Sequence, residues 1–515
     1  MFRSPKHQSA WFSFGGIKTS TWVLAGLVLI AAIARLHTYQ EPLENDLARY
    51  AVYGHEMNQG RLLYSDLWDF HPPAIYETYA LAERLVGYGQ QEAYFLGLLA
   101  FFLTLWGVYQ AGSAGGMGEK AGLWAALFWT AISSDMLLQA NQPNAEVFMN
   151  ACLVWILLIF IDDEESHRHR FWAAGVLLAV GTMYKQQLIL PVLFGLGVTI
   201  WRRAKEKGPR TSFQLILPVV IPVLVAWMAL LSYLALTGRL GIYWDTTMGF
   251  GGYYSGNILG NLLNGFRFSN LFPSFILPFT PLFLLIIAGS AGFFKEYRAQ
   301  WFLFFSFWVG SVLAVVCTGK YFPHYYQLWL PFLAIGGGWA AEMIADRVKP
   351  FSAPLRWAPA LLCLGWLLIH EIPTYFLDAD QWSAQKYGYS FSDCRWLGKI
   401  VGETLKPDET FLLWGDTPSI YFYSQKSPPT GVIILAALSG PMAQPLTDRL
   451  FKDLAEKKPE MLIVDDFQYH DYYRHFLTKY GKWKYYPANG HFILMVKKGG
   501  ALEKRLGLKP AVQGF

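Results

Sequence analysis

Apolar residues fill long, nearly uncharged runs over the first 371 positions of the chain. One run, 93–111, approaches the roughly 20 residues that a helix needs to cross a bilayer. Many such runs predict a bundle of membrane helices, because a helix satisfies its own backbone hydrogen bonds in lipid. We predict eleven spans, near residues 20–37, 92–111, 119–138, 146–161, 171–184, 187–201, 212–236, 273–293, 300–317, 325–343 and 357–371.

Segment 171–201 is predicted to be two short helices. A single helix would be about 46 Å long at 1.5 Å per residue, against a hydrocarbon layer of about 30 Å. It would also place the basic stretch 202–210 on the outer side, whereas cytoplasmic loops carry the Lys and Arg excess. We therefore expect a polar elbow at Lys185, with the N-terminus inside and segments 38–91, 133–145, 237–272 and 318–327 outside.

After about residue 372 the pattern changes. Short apolar runs (411–414, 461–464 and 492–496) alternate with helix-like stretches (447–456 and 472–480), which is typical of a small α/β domain. The predicted fold class is a polytopic α-helical membrane protein with such a tail. Its domains are a transmembrane domain, residues 1–371, that includes the first external loop 38–91, and an external α/β domain, residues 372–515.

Composition agrees with a membrane protein. Of 515 residues, 54% are hydrophobic and only 15% charged, compared with roughly 25% charged in soluble domains. The net charge of +5 does not indicate nucleic-acid binding, because the basic residues lie in short loops.

The first external loop carries most of the candidate chemistry. Asp46, Arg49 and Tyr50 are spaced i, i+3 and i+4, so a helix starting near Asn45 places all three on one face. We expect this helix to lie along the membrane surface. A second acidic group, Asp66 and Asp69, precedes His71 and two prolines, which are expected to start another surface helix at about 75–85.

This loop resembles a known family. An acidic residue, Arg-Tyr and then Y-x-D-x-x-D-x-x-P-P-x-x-Y (64–76) is similar to the first external loop of the GT-C superfamily. Within it, the chain resembles the bacterial branch related to protein O-mannosyltransferases, lipid A aminoarabinose transferases and RgtA/B/C/D-like enzymes. Segments 139–149, 181–187 and 319–331 match in order, so the resemblance covers about 20–340. Leu47 replaces a second acid of many relatives, and His71 replaces a lysine.

The resemblance implies an inverting glycosyltransferase that uses a sugar linked to polyprenyl phosphate, without a required metal or other cofactor. An acceptor hydroxyl, on a glycan, lipid or protein, would be deprotonated by a general base, and the departing phosphate would be stabilised by cations. The implied catalytic residues are Asp46 and Glu146. The implied donor-phosphate ligands are Arg49, His71, Lys185, Lys320 and His324. The implied substrate-binding residues are Tyr50, Asp66, Asp69, Asn144 and Tyr325. The expected location is a bacterial inner membrane, with the site and tail facing outside.

Each of the main candidates also has a purely structural interpretation. Asp46 is a good helix cap, and Glu146 at a helix start favours the helix dipole. Arg49 can extend to lipid phosphates in general, and His71 can be a turn residue. Lys185 can be an elbow residue that contacts water, while Lys320 and His324 can be interfacial anchors in an aromatic belt.

Two other functions remain open from the sequence. A transporter or flippase would carry ionisable residues near the bilayer midplane, often in repeated halves. Here the charged residues concentrate in the external segments, which favours the transferase. A membrane sensor that displays its tail domain would leave the first-loop residues unexplained.

Overall fold

The computed structural model describes residues 19–162, 169–208, 213–348, 352–464, 480–486 and 492–507. Its helices are α1 Thr19–Ala34, α2 Asn45–Asn58, α3 Ala74–Val86, α4 Gln90–Ser113, α5 Glu119–Ile132, α6 Ala145–Ile161, α7 Arg170–Tyr184, α8 Ile189–Lys207, α9 Ile216–Leu236, α10 Leu240–Trp244, α11 Gly251–Ser255, α12 Ile258–Gly265, α13 Phe268–Leu271, α14 Thr280–Glu296, α15 Arg298–Val316, α16 Leu330–Arg347, α17 Ala353–Glu371, α18 Ala379–Tyr387, α19 Ser390–Thr404, α20 Ser419–Ser424, α21 Ala443–Lys457 and α22 Ala501–Leu506. Its strands are β1 Phe411–Trp414, β2 Met461–Val464, β3 Tyr480–Tyr486 and β4 Phe492–Lys497.

Each of the eleven predicted spans contains a helix. Within the described residues, seven helical segments are long and apolar enough to cross a membrane, and α6 is a shorter apolar helix. The predicted span 119–138 is shorter than expected, because α5 ends at Ile132 and a turn follows. In that turn Asp135 accepts a 2.6 Å hydrogen bond from the Leu138 amide, which satisfies a backbone group outside the helix. The predicted helical membrane fold is confirmed.

The chain between α7 and α8 breaks as predicted. Lys185 has extended backbone angles (φ −153°, ψ 133°), and a short 3-10 turn, Gln186–Leu188, leads into α8. Because Lys185 lies outside both helices, its side chain is presented at a polar break between two apolar segments.

The described residues form two compact units. One unit comprises the described residues up to 37, 96–229 and 257–376. The other comprises 38–95, 230–256 and the described residues from 377 onward. We call them the membrane unit and the loop–tail unit. The segment predicted to be the first external loop, 38–91, and the tail therefore belong to one unit.

The tail contains a four-stranded mixed sheet in the order β1-β2-β4-β3. β1 and β2 are parallel, with Phe411 opposite Met461, whereas β4 is antiparallel to both neighbours. Apolar side chains such as Leu412, Trp414 and Leu462 form the core. The predicted runs 411–414, 461–464 and 492–496 are strands, and 447–456 is helical. β3 was not predicted, and segment 472–479 lies outside the described residues.

Candidate active site

Glu44, rather than Asp46, caps the helix α2. Its carboxylate accepts hydrogen bonds from the backbone amides of Asp46 and Leu47, each 2.9 Å long. The pattern is that of a helix N-cap, which satisfies donors that have no partner within the helix. The capping interpretation of Asp46 is therefore not needed, and its side chain, 31% exposed, is directed to other groups.

The two neighbouring carboxyl groups differ in environment. Burial, reinforced by the charge of Asp46, raises the pKa of Glu44 to about 8. At neutral pH Glu44 is thus mainly protonated, whereas Asp46 faces a guanidinium group.

That guanidinium belongs to Arg49, which bridges two carboxylates. Its Nη2 lies 2.7 Å from Asp46 Oδ1, and its Nε lies 2.8 Å from Asp69 Oδ2. The Arg49 side chain is only 7% exposed, and that of Asp69 is fully buried. A buried guanidinium with two carboxylate partners has a fixed orientation, so Arg49 holds Asp46 in place.

Asp69 is the fixed centre of this cluster. Its Oδ1 accepts a hydrogen bond from the backbone amide of His71 (3.1 Å) and lies 2.7 Å from His71 Nδ1. Burial alone would raise the pKa of Asp69, but the charge of Arg49, together with the interaction and hydrogen bond with His71, holds that pKa well below its usual range. Asp46, Arg49, Asp69 and His71 therefore form one chain of charges, which we call the acidic cluster.

The backbone beside Asp69 is fixed from the tail. The Tyr53 hydroxyl donates to the carbonyl oxygens of Trp68 (2.8 Å) and Gly431 (2.9 Å), and the Trp68 amide donates to the same Gly431 oxygen (3.0 Å). The Tyr64 hydroxyl donates to the carbonyl of His71 (2.9 Å). These bonds hold the residues on both sides of Asp69, so the tail helps to shape the acidic cluster.

The other first-loop candidates have supporting positions. Tyr50 is 1% exposed, and its ring contacts those of His71, Tyr76 and Tyr79 at centroid distances of 5.6–6.0 Å. Asp66 closes a turn, where its Oδ2 accepts a 2.8 Å hydrogen bond from the Leu62 amide.

A second group of candidates meets in the membrane unit. Lys185 Nζ donates a 2.5 Å hydrogen bond to Glu146 Oε1 and lies 4.4 Å from the centre of the Tyr325 ring. The exposed fractions of the two charged side chains are 11% and 3%. The elbow thus places a cation against the first turn of α6, and we call Glu146, Lys185 and Tyr325 the elbow cluster.

The elbow cluster has unused hydrogen-bonding capacity. Glu146 Oε2 and the amide nitrogen of Asn144 are buried and make no hydrogen bond to any described residue. Because buried polar atoms are nearly always paired, such atoms mark a place where a ligand or water is expected. Asn144 precedes α6, but its side chain forms no capping hydrogen bond.

His324 and Lys320 lie on the segment that precedes α16. His324 Nδ1 is 3.2 Å from Gln139 Oε1, and Gln327 donates to the carbonyl oxygens of Leu138 and Gln139. Lys320 is half-buried, between residues 319 and 321, which both have positive φ. In the described part of the chain, no group of three or more His, Cys, Asp and Glu side chains is arranged to hold a metal ion.

The fold of this chain is similar to that of several solved membrane proteins. The structure of ArnT from Cupriavidus metallidurans bound to undecaprenyl phosphate superposes with a TM-score of 0.63 at 13% identity, over 93% of this chain and 98% of that one. The chain has the GT-C fold. The oligosaccharyltransferase of Archaeoglobus fulgidus in the apo form gives a TM-score of 0.54 at 14% identity, over 92% of this GT-C chain and 74% of the archaeal one. In complex with an inhibitory peptide and a dolichol-phosphate, that enzyme, AglB, gives 0.51 at 13% identity.

A family model agrees. Residues 70–227 of the GT-C chain match the family described as dolichyl-phosphate-mannose-protein mannosyltransferase. The match includes His71, Glu146 and Lys185 but begins after Asp46 and Arg49. A comparison with curated proteins gives no significant match. The predicted resemblance to GT-C glycosyltransferases is confirmed, while the roles of individual residues stay predictions.

The low pKa of Asp69 predicts acid sensitivity of the GT-C chain. Its folded pKa lies below the ordinary value of 3.8, so its stabilisation is complete above that value and is lost as the pH falls toward the folded pKa. Asp69→Asn leaves the buried Arg49 with one carboxylate partner fewer. We expect the free energy of unfolding to fall by about 3–5 kcal/mol at neutral pH and to depend less steeply on pH in acid. Unfolding measured from neutral pH down to about pH 1.5 checks this, because the loss is expected between the ordinary pKa and the lower folded pKa. Asp66→Asn, in its half-exposed turn, is the control, and equal losses for both variants would contradict the prediction.

Gly431→Ala tests whether the tail holds the loop. A Cβ added at Gly431 would lie 1.9 Å from the carbonyl oxygen of Asp66, so the backbone must move. We expect a loss of about 1–3 kcal/mol, measured by thermal unfolding. Gly241→Ala is the matched control, because nothing lies within 4 Å of its added Cβ. A Gly431→Ala variant as stable as the control would show that the loop adapts.

Proposed function

We propose that the chain is an inverting glycosyltransferase that moves a sugar from a polyprenyl-phosphate-linked donor to an acceptor hydroxyl. The GT-C fold supports the proposal, since two proteins with this fold were solved with undecaprenyl phosphate or dolichol-phosphate bound. The observation that carries it is Asp46, a partly exposed carboxylate that is oriented by a buried guanidinium.

Asp46 is assigned the role of general base. As the acceptor oxygen attacks the anomeric carbon, its proton passes to the Asp46 carboxylate, and the bond from the anomeric carbon to the phosphate oxygen breaks. One direct displacement inverts the anomeric configuration. Arg49 acts here as a positioning residue, because its Nη2 and Nε atoms already contact the carboxylates of Asp46 and Asp69. A contact between Arg49 and the donor phosphate stays a prediction.

The elbow cluster is assigned to charge stabilisation. Lys185 is a buried cation suited to the charge that develops on a departing phosphate, and the unpaired Glu146 oxygen suits a substrate hydroxyl. Asn144 and Tyr325 are proposed to contact substrate beside them. His71, Lys320 and His324 are further candidates for donor phosphate.

The proposed location is a bacterial inner membrane, with the acidic cluster and the tail outside the cytoplasm. The distribution of Lys and Arg among the short loops supports this orientation.

The test uses purified protein in lipid nanodiscs with undecaprenyl phosphate carrying mannose, glucose, galactose or aminoarabinose, and with glycerol as the acceptor hydroxyl. We expect release of undecaprenyl phosphate from one of these donors, no consumption of nucleotide sugars, and an inverted anomeric configuration in the product, assigned by NMR. A retained configuration would exclude direct displacement. Movement of intact donor across liposomes without release of lipid phosphate would favour the transporter.

A further inference from the structure

Three aromatic rings of the loop–tail unit lie beside the acidic cluster and have no part in the chemistry above. The Phe70 ring is 5.3 Å from Phe250 and 5.1 Å from Tyr254, measured between ring centroids, and the Phe250 and Tyr254 rings are nearly parallel at 18°. We call Phe70, Phe250 and Tyr254 the aromatic platform. Phe250 is buried, whereas Phe70 and Tyr254 are half-buried.

The platform is connected directly to the acidic cluster. Phe70 follows Asp69 in the chain, and its ring lies 4.4 Å from that of His71. The charges of the acidic cluster also affect Tyr254. Burial and then the charge of Asp46 raise the pKa of Tyr254, while the charge of Arg49 opposes this shift. Half-buried rings therefore lie beside His71, a member of the acidic cluster that contains the carboxylate assigned as the base.

The segment that ends at Phe250 has an unusual backbone. Asp245–Phe250 is a π-helix, a form that is rare and frequently marks functional sites. It ends at Phe250, whose ring packs edge-on against the fully buried Trp68 at 5.1 Å. The contact with Trp68 thus fixes one ring of the platform against the first loop, as expected for a rigid binding surface.

We propose that the aromatic platform binds a pyranose ring of the acceptor, so that the acceptor is a saccharide. This inference rests on the proposed function. One face of a pyranose presents C–H bonds that stack on aromatic rings, while its rim carries hydroxyls. A mainly apolar surface with a few placed polar groups is typical of small-ligand sites, and here Asp46 supplies the polar group at the edge. The base must touch the acceptor hydroxyl, which places the ring that carries this hydroxyl beside Asp46.

The first test measures sugar binding. Saturation-transfer NMR is recorded on the whole protein in nanodiscs with methyl α-mannopyranoside, methyl β-glucopyranoside and methyl β-galactopyranoside. We expect transfer to the ring C–H protons of at least one of them. Tyr254→Phe should retain binding, whereas Tyr254→Leu, which keeps apolar area but loses the aromatic face, should weaken it about tenfold. Tyr389→Ala, at a 60% exposed tyrosine of the same unit, is the control and should bind as the wild type does.

Several results would overturn the inference. The inference fails if the wild type binds no pyranoside, or if Tyr254→Leu binds it as well as the wild type does at an unchanged melting temperature. It also fails if a hexapeptide containing Ser and Thr displaces the sugar. If the platform instead binds the polyprenyl chain of the donor, an apolar leucine would serve as well as tyrosine. That alternative therefore predicts that Tyr254→Leu leaves binding to the platform unchanged.

A second measurement separates this inference from the proposed function. Release of undecaprenyl phosphate is followed with water as the only acceptor. If Tyr254→Leu weakens pyranoside binding and leaves the donor KM unchanged, the platform serves the acceptor. If the donor KM rises, the platform holds the donor, and the acceptor assignment is wrong although the transferase stands. If the wild type releases lipid phosphate from no donor, the proposed function fails, and a bound pyranoside is then a ligand and not an acceptor.

Discussion

Asp46→Asn is expected to lower the rate of transfer by about 100-fold or more, which is the usual contribution of a positioned general base. Asparagine has the same shape and can still accept the hydrogen bond from Arg49, now 2.7 Å long, but it cannot take a proton from the acceptor. The helix should be unaffected, because Glu44 makes the capping bonds. Release of undecaprenyl phosphate, measured with saturating donor and acceptor, gives the loss in kcat.

Glu44→Gln is the matched control for Asp46→Asn. Glutamine resembles the protonated form that a pKa of about 8 gives Glu44 at neutral pH, and its single side-chain oxygen can still accept one of the two capping bonds. We expect near-normal transfer at pH 7. If Asp46→Asn works as well as the wild type, the base lies elsewhere. If Glu44→Gln loses as much as Asp46→Asn, the start of α2 matters through its structure and not through proton transfer.

The local part of this site could be predicted from the sequence. The i, i+3, i+4 spacing of Asp46, Arg49 and Tyr50 predicts a shared helical face, and α2 begins at Asn45 as expected. The elbow at Lys185 followed from helix length and loop charge, both properties of neighbouring residues. Such features depend on contacts within a few residues, which is why a pattern in one chain is sufficient to find them.

Contacts between distant segments could not be predicted in the same way. Nothing in the sequence places Gly431 against Trp68, or Tyr254 beside Phe70, because these pairs form only when the unit folds. The capping role of Glu44 was missed, although a glutamate directly before the helix start was a usable signal. Arg49 was predicted as a phosphate ligand, but its buried partner Asp69 shows that a charged residue can be occupied inside its own unit.

Lys185→Met is expected to lower both the stability and the activity of the protein. The substitution leaves the Glu146 carboxylate, 3% exposed, without its positive partner, and breaking such a buried pair costs about 3–5 kcal/mol. Methionine keeps the length of the side chain, so packing against Tyr325 should change little. Thermal unfolding in nanodiscs measures the first effect, and release of undecaprenyl phosphate measures the second.

The double variant Lys185→Met with Glu146→Gln separates structure from chemistry. Removing both charges leaves no unpaired ion, so stability should return most of the way toward the wild type. Activity should not return, because the cation proposed to stabilise the leaving phosphate is still missing, and loss of one such group costs about 10²–10³ in rate. A double variant that recovers both stability and transfer would reduce the Glu146–Lys185 pair to a structural ion pair, and the cation for the phosphate would then have to be sought among His71, Lys320 and His324.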